Sequence, residues 1–438
     1  MSALHASAVV LPAWEREGVA VEGPDEDAFT LLVRVGELLR RNQPALPRAR
    51  VEVQSIRLIA SLPGEERSQI LEAWGLPAVE ITPYPETPEG AARALSDALD
   101  EGNGETDGIS WVLTAQLACP AGTGIVDPPL QSAIAVGLAF ARGREITTPP
   151  SPGETHGPTS GRAPSSWVTG SAAKGGQRPT PFAGPPGYRA PPDAPATILL
   201  SLVDAASRSA PEALTHWVHA TAERTTVRTV LDGRKVPIVG YPVEEDRPWL
   251  PVPDEAWRAR AGAPISSLSQ GAYLSRESYR ASLPGRWRLE GERCGACGGF
   301  TLPPSGHCHH CGAREKLRRD RLPRSGAVIE SATVIRKGAQ PTEFDWHQET
   351  YGNYTVGLLR FPDGPTLTFQ VTDQSPAVPA LGAQVELVLR RLYPQEGTWR
   401  YGLKAVVLEA TAAADTERGA REGRAEGARP IRRGPSTS

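Results

Sequence analysis

Long apolar runs are absent from this 438-residue chain. No stretch approaches the ~18 residues needed to cross a bilayer, which argues against a helical membrane span. Charge of one sign is lacking too: the formal net charge is −3. A chain-wide nucleic-acid or membrane-surface role is therefore not expected, although local patches remain open. The opening residues, MSALHASAVVLPAWEREG, have no basic segment ahead of a long apolar core. A secretory signal peptide is thus not expected, and the cytoplasm is the expected compartment. There is no GxGxxG and no Walker lysine, so Ala121-Gly122-Thr123-Gly124 reads as a turn rather than a phosphate loop. Cysteine is scarce, with five residues in all.

Four of those five lie within eighteen residues, as Cys294-Gly-Ala-Cys297, ten intervening residues, and Cys308-His-His-Cys311. Two CxxC knuckles at short separation place four thiolates at the corners of a tetrahedron, the arrangement structural zinc prefers. Gly298 and Gly312 follow the two pairs and suit the tight turns that aim backbone amides at sulfur. Two disulfides are the competing reading, but nothing points to secretion, so zinc is the expectation. Four sulfurs close the coordination shell and leave no position for water, which makes the metal structural. His307, His309 and His310 crowd the second knuckle and are read as exposed or supporting residues, with replacement of one cysteine as the alternative.

Upstream, apolar residues at helical spacing predict a helix over 27–41, and 65–74 also reads as helical. Strands are expected at 51–60, 79–81, 109–116 and 132–141. Thr87 is expected to cap a helix running through Leu99, with Pro88 at its first position and Glu89 in its first turn. Strands alternating with helices indicate an α/β layer architecture. Residues 147–195 hold twelve prolines and eight glycines, the composition of a linker or unpacked loop. Trp167, Phe182 and Tyr188 are its candidate docking points, although isolated aromatics in such loops usually do not dock. Structure resumes with a buried helix at 198–206 and short strands near 215–220 and 227–231. A helix over 271–283 is expected to stop at Pro284-Gly285. Five strands then follow at 328–335, 354–361, 366–371, 384–392 and 399–408, several with clean alternation. They suggest a small closed β-barrel of the OB-fold type. Residues 411–438 have almost no apolar anchors and read as a disordered tail.

The segment RWRLEGERCGACGGFTLPPSGHCHHCG, the helix before it, and SGAVIESATVIRKG opening a five-stranded barrel resemble the zinc-ribbon plus OB-fold family that accompanies thiolases and HMG-CoA synthases. The resemblance spans about 267–410. It implies a part without catalytic groups of its own, which binds coenzyme A thioesters or bridges acyl-transfer enzymes. More faintly, 76–99, 109–141 and 196–231 resemble a shortened, degenerate thiolase-like domain. In active members of that kind a cysteine opens the helix corresponding to Thr87–Leu99. Here the place reads Glu86-Thr87-Pro88-Glu89-Gly90, where two carboxylates would disfavour a thiolate.

The resulting division is 1–146 and 196–240 for the α/β region, 147–195 for the loop and 241–290 for a connecting segment. The zinc ribbon takes 291–324, the barrel 325–410 and the tail 411–438. Arg314, Lys316, Arg318 and Arg319 form a basic stretch that is usually a solvated face. Beside a barrel it is the candidate contact for the phosphates of coenzyme A or of RNA. Cys119 reads as a buried inert thiol rather than a nucleophile. His216 and His219 lack carboxylates at ligand spacing and are weak candidates for metal or base. Two functions compete: a non-catalytic acyl-CoA-binding or scaffolding subunit for a separate thiolase or condensing enzyme, and a nucleic-acid-binding module. In the first, the ribbon and barrel are tethered, and the proline-rich segment lets the two parts settle around another protein.

Overall fold

A computed structural model describes residues 2–17, 19–41, 53–100, 108–118, 133–142, 188, 194–208, 216–219, 225–228, 238–239, 250–251, 275–362, 364–373, 378–395 and 398–408. Cys119, the 121–124 turn, Trp167 and Phe182, most of the 147–195 loop and the 411–438 tail lie outside them.

The N-terminal region begins with β1 (Ser2–Val10), β2 (Trp14–Arg16), β3 (Val19–Val21) and α1 (Ala28–Arg41). It continues through β4 (Val53–Ile59), α2 (Gly64–Trp74), β5 (Glu80–Pro83), α3 (Pro88–Asp100), β6 (Ile109–Gln116) and β7 (Ile134–Arg142). Next come α4 (Pro195–Arg208), the hairpin β8 (His216–His219) and β9 (Thr225–Arg228), then β10 (Ile238–Val239) and β11 (Leu250–Pro251). A six-stranded mixed sheet has the order β10-β1-β7-β6-β4-β5, with β7 antiparallel to both its neighbours. The α/β layers of the sequence analysis are present. The central β6 shows why its sequence is apolar throughout: Trp111 and Leu113 pack towards α1 and α2, whereas Val112 packs towards α3 and α4. Burial on both faces removes the alternation expected of a half-exposed strand.

Strand β1 was not expected. Its residues, SALHASAVV, are small and carry little strand propensity, yet they pair along β7 from Ser2–Arg142 to Val10–Ala135. Tyr188, one of the three candidate docking points, does dock. Its hydroxyl lies 2.6 Å from Thr197 Oγ1 on α4, and its ring packs on the core between α3, α4 and the sheet.

The C-terminal part starts with α5 (Arg276–Arg288), capped by Ser275, whose hydroxyl accepts from the Ser278 amide at 3.2 Å. The expected stop at Pro284-Gly285 is corrected: the helix runs through both residues to Arg288. Proline forfeits one helical hydrogen bond. The last turn is held from outside, because Trp287 is fully buried and its indole N–H donates to the Tyr401 carbonyl at 2.9 Å.

Three short strands follow, β12 (Glu290–Cys294), β13 (Phe300–Thr301) and β14 (Leu317–Arg321). Then come β15 (Ser325–Ile335), α6 (Asp345–Tyr351), β16 (Tyr354–Arg360), β17 (Thr366–Thr372), β18 (Gln384–Gln395) and β19 (Thr398–Val407). The last five strands close in the order β15-β16-β17-β19-β18, with β17 and β19 parallel. The expected five-stranded barrel is thus present. Ala327, Ile329, Leu359, Val385, Leu387 and Leu403 fill its interior.

The barrel is not a loosely tethered body. Helix α1 lies between the sheet and the barrel, and its two sides differ. Leu31, Leu32, Val35 and Leu39 belong to the core beneath the sheet. On the other side, Arg34 and Arg41 pair with Glu386 of β18, and Glu37 pairs with Arg324. Phe29 stacks on Tyr401 with ring centroids 4.4 Å apart and also meets Trp287 at 5.9 Å. The two parts thus pack directly on each other through α1.

Candidate metal centre and the basic faces around it

The two knuckles sit at the end of the β12–β14 sheet and bring the four expected cysteines together. All four sulfurs lie within 4.8 Å of one another. The closest pairs are Cys294–Cys311 at 3.7 Å and Cys297–Cys308 at 3.6 Å. A tetrahedron with Zn–S bonds of ~2.3 Å has corners ~3.8 Å apart, so the two closest pairs already stand at that separation and the whole donor set is close to a zinc tetrahedron. Backbone amides support it: those of Ala296, Gly299 and His310 lie 3.4 Å from the sulfurs of Cys294, Cys297 and Cys308 respectively. The amides of Ala296 and Cys297 draw the Cys294 thiol down to about 7. Those of Cys311 and His310 lower Cys308 as well. Both shifts favour the thiolate form a metal requires. At Cys297 the Gly299 amide pulls the same way, but the neighbouring sulfurs of Cys311 and Cys308 outweigh it and push the thiol up to about 12, a proton that a bound cation would displace. Gly298 and Gly312 have φ of +75° and +74°, the left-handed turn anticipated after each CxxC.

The histidines are not in the sulfur cluster. His307 Nδ1 lies 3.2 Å from the Ser305 carbonyl, and His309 Nε2 lies 3.0 Å from the Ser305 hydroxyl. The His310 ring covers Gly299, where a Cβ would come within 2.5 Å of it.

Arg314, Lys316, Arg318 and Arg319 are all exposed, but the structure does not gather them into one concave site. Arg318 and Arg319 are neighbours on β14, so they project to opposite faces. Arg319 lies opposite Glu292 in the register, and Arg318 lies opposite Arg293, which is bound to Asp320 at 2.6 Å. Arg324, at the end of the same basic run, is largely buried against Glu37 and the Trp287 carbonyl.

At the α1 N-terminus, the acidic run Asp25-Glu26-Asp27 meets the barrel. Asp27 caps the helix reciprocally with Thr30, at 2.9 Å in both directions. It also accepts from the Tyr401 hydroxyl at 3.0 Å. Lys404, fully buried, donates to Asp25 at 2.7 Å, and Thr372 donates to the same oxygen at 2.9 Å. Arg390 reaches Glu26 at 2.7 Å and Asp373 at 2.8 Å. Burial alone would raise the Asp25 carboxyl, but Lys404 and Arg390 hold it at about 2. Burial dominates at Glu26 and lifts it to about 7. Sequence reasoning missed this network, whose one local signal was an acidic triplet directly ahead of a helix.

Thr87 caps α3 as expected: its hydroxyl accepts from the Gly90 amide at 3.1 Å. His216 and His219 fall on β8. Among the described residues, no helix is long and apolar enough to cross a membrane.

The C-terminal fold and its sulfur cluster define a zinc ribbon joined to a closed five-stranded barrel. Residues 285–316 match the family described as ChsH2, rubredoxin-like zinc ribbon domain. The chain is similar to a DUF35 domain-containing scaffold protein of Methanothermobacter thermautotrophicus, 28% identical over 124 residues, covering 28% of this chain and 88% of that protein. It is similar to another of the same description from Pyrococcus furiosus, 29% identical over 121 residues, covering 27% and 82%. Among solved structures, the Ltp2-ChsH2(DUF35) aldolase matches at 20% identity and a TM-score of 0.22, over 31% of this chain and 98% of that one.

Proposed function

We propose that this chain is a non-catalytic scaffolding subunit that acts with a separate thiolase or condensing enzyme and contributes to binding its acyl-CoA substrate. The observation that carries the reading is the similarity to scaffold proteins over most of their length, together with the ribbon and barrel. In this reading Cys294, Cys297, Cys308 and Cys311 hold one structural zinc. Arg314, Lys316, Arg318 and Arg319 supply positive charge towards coenzyme A phosphates, and the compartment is the cytoplasm. The α3 N-terminus supports the absence of acyl-transfer chemistry. It holds Thr87, Pro88 and Glu89 where an activated cysteine would be needed.

The nucleic-acid alternative is less well supported. Binding single strands calls for open aromatic faces. The barrel's partly buried rings instead pack edge-on against one another: Trp346 on Trp399 at 4.9 Å, and Phe344 on Tyr393 at 5.5 Å. The test is a pull-down of the full chain from its native organism. Co-purification of a thiolase or condensing enzyme is expected, with no acetyl adduct on this chain after incubation with acetyl-CoA. A chain that runs alone and retains RNA at physiological salt would replace the scaffold reading with the nucleic-acid one.

A further inference from the structure

Between α1, the end of α2, the last turn of α5 and the β14–β15 connection lies a cavity of about 420 Å³. That volume falls within the ~300–1,000 Å³ of small-molecule sites. Its lining is unusual in charge. Five arginines reach it (Arg40, Arg41, Arg288, Arg321 and Arg324), against one carboxylate, Glu37.

Three of the five already have anionic partners. Arg324 pairs with Glu37, Arg41 with Glu386, and Arg288 with Glu72 at 3.0 Å and Glu290 at 2.6 Å. Glu386 must also serve Arg34, so its charge is shared. Arg40 and Arg321 differ. Arg40 donates to the Trp74 carbonyl at the end of α2, and among the described residues neither it nor Arg321 forms an ion pair. Burial first, and then the proximity of Arg321 and Arg288, makes the charge on Arg40 less favourable than in water, and Glu290 offsets this only in part. The protein therefore holds an excess of positive charge around a concave space, six arginines (Arg34, Arg40, Arg41, Arg288, Arg321 and Arg324) against four carboxylates (Glu37, Glu72, Glu290 and Glu386). An anion entering there would relieve that repulsion and accept from several guanidinium groups. Planar guanidinium forks match the oxygens of a phosphate group two at a time.

We propose that this cavity is a binding site for a phosphate-class anion, with Arg40 and Arg321, which lack an ion-pair partner among the described residues, as its ligating residues and Arg288 in support. The site lies where the α/β region meets the ribbon and the barrel, so it exists only when those parts are docked. It is separate from the outward-facing Arg314, Lys316, Arg318 and Arg319, none of which lines it. The proposal does not depend on the scaffold reading.

Isothermal titration of the full chain with inorganic phosphate and with pyrophosphate tests it, alongside Arg321→Glu and Lys337→Glu. Arg321 is exposed at the strand end, so its replacement leaves the core intact. Lys337 is exposed in the turn after β15 and does not line the cavity, so Lys337→Glu changes the net charge by the same amount away from the site. Binding to the wild-type chain is expected to weaken about tenfold or more in Arg321→Glu, to stay within about twofold in Lys337→Glu, and to weaken with added salt. Competition by coenzyme A would assign the phosphate to a nucleotide-bearing ligand, and its absence would assign it to a free phosphate or another ester. No heat with either probe, unchanged binding in Arg321→Glu, or equal loss in both variants would overturn the site. Partner capture by Arg321→Glu is expected to equal that of the wild type, so failure here leaves the scaffold reading standing.

Discussion

Replacing Lys404 with methionine tests how the barrel is held to the α/β region. The substitution keeps the apolar stem and removes only the ammonium group. Lys404 is fully buried and donates to Asp25 at 2.7 Å, across an interface whose two sides are separated by most of the chain. Asp25 is held at about 2 rather than at its ordinary 3.8. A difference of that size favours its charged form by roughly 2–3 kcal/mol. Removing one partner of a buried ion pair generally costs about 3–5 kcal/mol, because the other is left charged and unsolvated. Arg390 at 3.7 Å and the Thr372 hydroxyl remain beside Asp25, so a loss near the lower end, about 3 kcal/mol, is expected. The assay is urea denaturation followed by tryptophan fluorescence, with Asp25→Asn and the double variant completing a thermodynamic cycle. The pH profile supplies a second readout. A depressed carboxyl contributes stability that is complete above pH ~4 and is lost as pH falls towards 2; without Lys404 the folded-state carboxyl is no longer held so low, so in Lys404→Met that acid loss is expected to shrink. If Lys404→Met unfolds within about 0.5 kcal/mol of the wild type, or if the two substitutions are additive, the network does not hold the parts together.

Glu26 has the opposite sign. Its carboxyl is raised from 4.5 to about 7, so its folded form favours the proton, and stability should decline as pH rises from about 4.5 to 7. Glu26→Gln should flatten that decline in denaturation midpoints measured across the range, and an unchanged slope would refute it. Purified protein should contain one zinc per chain by elemental analysis. Cys308→Ser should remove the metal and cost several kcal/mol in the C-terminal part, since ribbon folding and metal binding are coupled. Metal-free protein with an unaltered melting profile would end the zinc assignment.

Local signals carried a large part of this structure. The sulfur cluster was legible because its ligands come as two CxxC pairs within one short segment, and the glycine after each pair adopts the left-handed φ the turn demands. The barrel strands were legible from period-two alternation, and α3 from Thr87 and Pro88 at its start. Failures of sequence reading have equally definite causes. Strand β1 is built of small residues whose place between β7 and β10 depends on pairing with distant segments. Helix α5 passes through Pro284 and Gly285 because Trp287 finds its partner in Tyr401, which no local propensity could show.

By itself, then, the sequence determined which segments form the ribbon and the barrel, and which four sulfurs meet, because those choices rest on spacing between near neighbours. Tertiary structure alone decided that the barrel docks on α1, that Asp25 meets Lys404, and that Arg40, Arg288 and Arg321 surround one cavity. The physical reason is the nature of the contacts. An ion pair between residues 379 positions apart leaves no periodicity in the chain. A charged side chain reads the same whether it faces solvent or a buried counter-charge, so only the packed fold distinguishes the two.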